Sequence, residues 1–457
     1  MPSEAVQQRR PRYLPPIHTD ETIGAQIAGI AFDHPSRRRW LLAFAACCGL
    51  TLWLGVALGW VFYWGIGVWG NNIPVGWALD IVSYDWWMGN ACGALMVSAL
   101  LLLLRQYWRG ALNRIAETVA VLATAAAGIY PIIHLGRSWF FYWTLPYPND
   151  LDLWPQFRSP LVWDAFDIMS LLVVALLFWF VGMIPDLATL RDRAPGLWQK
   201  RLYAIGALGW RGSALHWARW LQAYRILALF GVLQAICTQC GASVMYAGTL
   251  EPGWHDTLLP AFFIVNAAFS GLGAVTVVVT LVRYVYPIES LITERHLDIL
   301  GRLILAAGLL STYCYCADFF FTALAGDPYE RAVMMRRFTG LYAGSFWLIV
   351  AAALLPIHLL WFGTARRSPL LLFVIGMGVL AGMWGDHFMV LVVTQHHDFL
   401  PSSQAFYTTS FWAVSTWIGT LGLFGALLLL VLRYLPVASI VESRLLARQR
   451  VAGAQHV

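Results

Sequence analysis

Charge is scarce in this sequence of 457 residues: only 12% are Asp, Glu, Lys or Arg, against roughly 25% in soluble globular domains. Hydrophobic residues make up 59%, and mean hydropathy is +0.64, which excludes a water-soluble domain. Cysteine is no richer in information. All seven lie inside apolar runs, at 47, 48, 92, 237, 240, 314 and 316, where neither secreted disulfide frameworks nor zinc sites are built. The "CTQC" at 237–240 puts two thiols on one helix face and reads as small, polarizable packing. No secretory leader is expected either. The first 39 residues carry Pro11, Pro15, Pro16 and six arginines but no short apolar core with a small-residue cleavage site, so this tail is expected on the mature protein. No low-complexity segment or internal repeat is evident.

What is present is a series of apolar runs of about 20 residues, the length that crosses about 30 Å of hydrocarbon as a helix. Ten occur, near 40–64, 76–104, 115–135, 160–184, 226–247, 258–282, 299–324, 338–362, 370–394 and 411–432, hereafter spans 1 to 10. Backbone polar groups must be satisfied inside lipid, so each run is expected to be a helix. The fold class is an all-α integral membrane protein. Spans 2–5 and 6–9 can form two four-helix bundles with spans 1 and 10 peripheral. The chain divides into a tail 1–39, a membrane domain 40–432 and a tail 433–457.

The net charge of +6 reports topology rather than a nucleic-acid partner. Of the 30 basic residues, 25 fall in the two tails and the connections on their side; the others are Arg137, Arg158, Arg331, Arg336 and Arg337. By the positive-inside rule both termini are cytoplasmic. The outward connection 136–159, "GRSWFFYWTLPYPNDLDLWPQFRS", reads either as an interface belt or as a docking surface for another subunit. The inward connection 185–225 carries seven basic residues and "LHWARWLQAY", expected as a helix lying on the anionic leaflet.

Polar residues inside the spans point to chemistry. "GMWGDHFMVLVV" (382–393) puts Asp386 beside His387 in the outer half of span 9. Span 2 holds Asp85 and Asn90 within "YDWWMGNACG", span 3 ends at His134, and Arg137 follows it. Span 4 begins with Asp164 and Asp167, three residues apart on one face. Span 7 ends near Asp318, and "PGWHD" places His255 and Asp256 in an outward turn. These groups share the outer level. The inward exception is Glu117, three residues from Arg114, which reads as a snorkelling surface ion pair or a step in a proton path.

A cavity at this level suits a quinone, which needs hydrogen-bonding partners at its carbonyls, a proton acceptor and an apolar slot for its tail. Gly89 and Gly93 allow close helix packing beside it. Haem fits less well, because His358 lies far in depth from His134 and His387, and these two stand beside acids. Of the two members of the Asp386–His387 pair, His387 is expected to face the quinone, since imidazole both donates a hydrogen bond and takes a proton near neutral pH. Asp386 is expected to pair with Arg137 or His134.

The segments "AGIYPIIHLGRSWFFYW", "LPYPNDLDLWPQFRSPLVWD", "GMIPDLATLRDRA", "PGWHDTLLPAFF", "NAAFSG" and "ITERHLDILGRLIL" together resemble the NrfD/PsrC family of ten-span polysulfide-reductase-type membrane subunits. The nearest likeness is to the C subunit of alternative complex III, a bacterial quinol-oxidising complex. The resemblance runs from about residue 60 to 395. It implies two four-helix bundles, a quinol site near the outer face and no metal in this chain; the candidates for that site remain the residues read above, Asp85, Asn90, His134, Arg137, Asp164, Asp167, His255, Asp386 and His387. It further implies menaquinone or ubiquinone bound non-covalently, a periplasmic iron–sulfur or molybdopterin-like subunit, a second NrfD-like membrane subunit, multihaem cytochrome c subunits and a bacterial inner-membrane location. Three positions depart from the pattern of the complex III relatives. Asn90 stands where they have a histidine, Met245 where they have an acid, and Asp386–His387 where they have Glu-Arg. Asparagine hydrogen-bonds a carbonyl but takes no proton, and methionine does neither well. The sequence therefore supports a quinone-reactive subunit, passing electrons between quinol and the iron–sulfur partner, or a structural anchor whose quinone site has decayed. A secondary transporter ranks behind both, because the charges lie at the outer level rather than the midplane.

Overall fold

The computed structural model describes residues 13–15, 19–34, 37–145, 159–397 and 399–454. Among these, ten helices are long and apolar enough to cross a membrane. In order they are span 1 Arg37–Trp64, span 2 Leu79–Leu103, span 3 Asn113–Ile133, span 4 Val162–Arg193, span 5 Ala214–Ala247, span 6 Leu259–Val285, span 7 Glu294–Ala325, span 8 Ala343–Trp361, span 9 Pro369–Val393 and span 10 Phe411–Tyr434. Span 8 is irregular: a π-helical stretch, Ile349–Leu354, meets Pro356, after which the helix tightens, because proline lacks the N–H that would continue the ladder. A second π-helical stretch, Met389–Val393, follows directly on Asp386 and His387.

Spans 2, 3, 4 and 5 pack as a closed ring, here bundle 1, and spans 6, 7, 8 and 9 as another, bundle 2. Span 1 pairs with span 10, which lies against spans 2 and 3. The bundles meet along spans 2 and 6, where the backbones are nearly in contact. A Cβ added at Gly93 would fall 1.9 Å from the Ala267 carbonyl oxygen, and one at Gly271 would fall 2.3 Å from the Ala94 nitrogen. Small residues thus set the depth of the join between bundles.

Two expectations about the connections change. Residues 215–224, "LHWARWLQAY", do not form a separate helix on the leaflet: they are the first turns of span 5. Their inward side chains have protein partners, with Trp220 Nε1 donating to Val181 O (2.8 Å) and Tyr224 reaching Glu117. Only Leu197–Gly206 forms a short helix of its own there. The segment after span 10 is likewise no loose tail, since it turns back at Ser439 and enters helix Ile440–Ala454, which packs against the N-terminal helix Asp20–Asp33. We call this end of the molecule the terminal face and the opposite end the distal face. On the distal face Trp139 and Trp143 are exposed in a helical turn, Ser138–Thr144. The rest of the expected docking loop, 146–158 with Arg158, lies outside the described residues, as do much of the tail 1–39 and residues 455–457.

Candidate quinone site in bundle 1

The intramembrane acids of bundle 1 are held mainly by neutral donors. Tyr84 donates to Asp164 (2.6 Å), Tyr246 to Asp85 (2.8 Å), and Gln234 and Thr238 to Asp167 (2.8 and 2.9 Å). His134 Nδ1 lies 3.2 Å from Asp80 Oδ2. A carboxyl group bound by hydroxyls and amides, rather than by a fixed guanidinium, takes and releases a proton without stranding a buried cation.

Between spans 4 and 5 lies a cavity of 690 Å³, lined by Trp163, Asp164, Phe166, Asp167, Gln234 and Met245 among others. Trp163 is exposed, so the cavity opens towards lipid. Asp164 also lines a cavity of 220 Å³ with His134, Leu135 and Phe141, so this one carboxylate forms a wall common to both spaces. Met245, where the resemblance leads one to expect an acid, lies in the cavity lining.

The Asp386–His387 pair does something else. Asp386 is buried in bundle 2, accepting from Tyr315 of span 7 and from Asn266 of span 6 (3.0 Å), and Ser311 donates to Asn266 in turn (2.7 Å). The expected pairing with Arg137 or His134 is not formed: Arg137 is exposed on the distal face and His134 is taken by Asp80. The pair splits because neighbours on a helix point about 100° apart. His387 faces the other way, across the join. A Cβ added at Gly89 would lie 3.8 Å from His387 Cε1, and Asp85 lies within electrostatic range of the ring. Its Nδ1 is 2.7 Å from Met383 O; a carbonyl only accepts, so Nδ1 carries the proton and Nε2 is left as the acceptor of the neutral ring. Neither residue lines the bundle 1 cavity.

The remaining sequence-derived residues scatter. Asn90 donates to Trp86 O (2.9 Å) and accepts from Ser270 (2.8 Å). His255 holds the carbonyl oxygens of Ala247 and Thr249 (3.1 and 3.0 Å) and lines a separate distal-face cavity of 410 Å³ with Asp256, Asp318, Glu330 and Arg337. Glu117 is not a snorkelling surface group. It and Arg114 are buried, with Arg114 donating to Glu117 (2.8 Å), to Asp186 (2.8 and 3.0 Å) and to Gly182 O (2.6 Å). Tyr224 and Ser98 donate to the other Glu117 oxygen (2.5 and 2.8 Å). Arg109 continues the network to Tyr224 (2.8 Å) and forks onto Glu442 of the C-terminal helix (2.6 and 2.7 Å). Burial alone would pull the Arg109 pKa down, but Glu442 and Tyr224 hold it above its ordinary range.

Sequence reasoning missed the tyrosines that cap the acids, as well as Arg109, Asp186 and Glu442. Tyr84 had a local signal, standing beside Asp85 in an apolar run. Tyr246, Tyr315 and Glu442 had none, because their partners are remote in sequence.

A ten-helix chain with this pairing is matched by the family model described as polysulphide reductase, NrfD, over residues 67–400. The chain belongs to the NrfD family. This NrfD-family protein is 23% identical over 383 residues, 78% of its own length and 83% of the other's, to the C subunit of the selenate reductase of Mesobacillus selenatarsenatis. It is also 26% identical over 264 residues, 54% of its length and 55% of the other's, to the C membrane subunit of a putative dimethyl sulfoxide reductase of Halobacterium salinarum. The recognition made from motifs holds at the level of the family, and so does the all-helical, multi-pass membrane architecture.

Proposed function

We propose that this NrfD-family protein is the quinone-reactive membrane subunit of a multisubunit redox complex, with the terminal face in the cytoplasm and the distal face against an iron–sulfur subunit. The observation that carries the reading is the 690 Å³ cavity open to lipid, with Asp164 and Asp167 in its wall. Its dimensions and chemistry suit a quinol ring: Trp163 and Phe166 offer aromatic surface, and the opening towards lipid admits an isoprenoid tail. Quinol oxidation releases electrons and protons together. In that direction the electrons leave for the iron–sulfur centre of the adjoining subunit, and the protons go first to carboxylates at the ring. Asp164 is the residue we assign to proton transfer; Tyr84 orients it, and Asp167 lies one turn away on the same face. The names of both relatives, which are C subunits of reductases, support membership of such a complex. Met245 in the cavity wall favours the alternative reading, an anchor that no longer turns quinol over.

The test is Asp164→Asn in the assembled complex, with quinol-dependent reduction of an artificial acceptor as the readout. Loss of a general base of this kind lowers turnover by about 10²- to 10⁴-fold, with assembly intact. Turnover like that of the parent would remove Asp164 from the mechanism, and absence of quinol-dependent turnover in the parent itself would establish the anchor.

A further inference from the structure

The terminal face carries a smaller cavity, of 140 Å³, between span 2, span 5 and helix Ile440–Ala454, with Leu102, Arg105, Tyr107, Leu221, Arg225 and Leu445 in its wall. Arg109 and Glu442 also border it, but they neutralise each other through the fork described above. Arg105 and Arg225 have no such acid. Both are exposed, and among the described residues neither guanidinium has a hydrogen-bond or ion-pair partner. Tyr107, also exposed, adds a hydroxyl to the same wall. Arg105 is held at a cost. It closes span 2 with φ 55°, and the bonds from Gln106 N to Leu101 O (2.9 Å) and from Arg105 N to Leu102 O (3.0 Å) make the Schellman turn in which glycine ordinarily takes this left-handed position. A side chain strains the backbone there and glycine does not. The turn itself needs no arginine, so what this residue contributes is a guanidinium at this spot.

We propose that this cavity binds the phosphate of an anionic phospholipid. Depth points to a lipid as the source of the phosphate. Arg225 lies about 33 Å along span 5 from its distal end at Ala247, at 1.5 Å per residue, and Arg105 closes the terminal end of span 2. Both residues therefore stand where about 30 Å of hydrocarbon ends and head groups begin. A phosphodiester presents a negative charge on two free oxygens, which a guanidinium fork matches, and basic pockets between transmembrane helices take such head groups. The cavity has room for the phosphate and not for the acyl chains, which lie outside along Leu104 and Leu445, both exposed. A zwitterionic lipid brings its own cation, which two unpaired arginines repel. This site rests on the membrane architecture alone and is independent of the quinone assignment in bundle 1.

The test titrates dioleoylphosphatidylglycerol into the purified complex in a neutral detergent and reads the tightest class of bound lipid. An arginine near an anionic group is worth about fivefold in affinity, so Arg225→Gln should weaken that binding about fivefold, and Arg105→Gly with Arg225→Gln about thirtyfold. Arg105→Gly keeps the left-handed turn and relaxes it, so without added lipid its unfolding midpoint in SDS should equal or exceed that of the parent. Dioleoylphosphatidylcholine should bind the parent several-fold more weakly than the anionic lipid, and inorganic phosphate in large excess should leave the anionic lipid in place. A double variant that binds the anionic lipid as the parent does, or phosphatidylcholine bound as tightly, would overturn the proposal. So would displacement by inorganic phosphate, which marks a site for a free anion, or an Arg105→Gly protein less stable than the parent, which marks the arginine as structural.

Discussion

Removing the carboxylate of Glu442 tests whether the C-terminal helix is a structural part of bundle 1. Among the described residues Glu442 is the only carboxylate that directly forks onto Arg109, at 2.6 and 2.7 Å, and the Arg109 side chain is 2% exposed. Glu442→Ala therefore leaves a guanidinium buried without its counter-charge. Breaking a buried pair from one side costs about 3 to 5 kcal/mol. The lower end applies, because Arg109 keeps Tyr224 and the Ser98 carbonyl at 2.8 and 2.9 Å, so the expected loss is about 3 kcal/mol. The double variant Arg109→Met, Glu442→Leu removes both charges and should recover to within about 1 kcal/mol of the parent, as hydrophobic replacement of buried pairs commonly does. Equilibrium unfolding in mixed micelles of rising SDS fraction measures both, and the cycle isolates the coupling. A Glu442→Ala protein within about 0.5 kcal/mol of the parent, the range of an ordinary surface substitution, would refute docking of this helix. A double variant no more stable than the single one would refute the charge argument.

Gly93→Ala should weaken the join between bundles by about 1 to 3 kcal/mol, because the new methyl collides with the Ala267 carbonyl and overpacking costs that much; Gly241→Ala, with nothing within 4 Å, is the control in the same unfolding assay. Burial holds the His396 pKa below the ordinary imidazole range, and its Nδ1 is 2.7 Å from Val393 O. The unfolded segment then binds the proton more readily, so stability here is full above about pH 6.5 and falls as pH drops below it. Limited proteolysis across 394–410 should be faster at pH 5.5 than at pH 7.5, and His396→Gln should flatten that dependence.

Much of the architecture was legible because lipid imposes it. Ten apolar runs had to be ten helices, and "GNACG" announced a close helix approach, though not that span 6 would make it. The acids Asp164 and Asp167 were legible as a pair from helical spacing alone. The partners were not. Arg114 and Glu117 at i,i+3 look identical whether they lie on a surface or in a core, and only Asp186, 72 residues from Arg114, decides between them. Asp386 and Tyr315 are 71 residues apart, and a tyrosine in an apolar run reads first as an interface residue. The boundary of span 5 failed for a related reason: "LHWARWLQAY" is amphipathic because it faces protein on one side, not because it lies on a membrane.

Ribosomal order gives the Arg109–Glu442 contact another meaning. Residues 79–247, which make bundle 1, leave the ribosome long before Glu442, so throughout synthesis of the remaining spans the terminal end of that bundle holds a cation with no counter-charge. The pair forms only after Glu442 has been made. A chain broken off anywhere after span 10 but before residue 442 would possess all ten helices and still lack the carboxylate that forks onto Arg109.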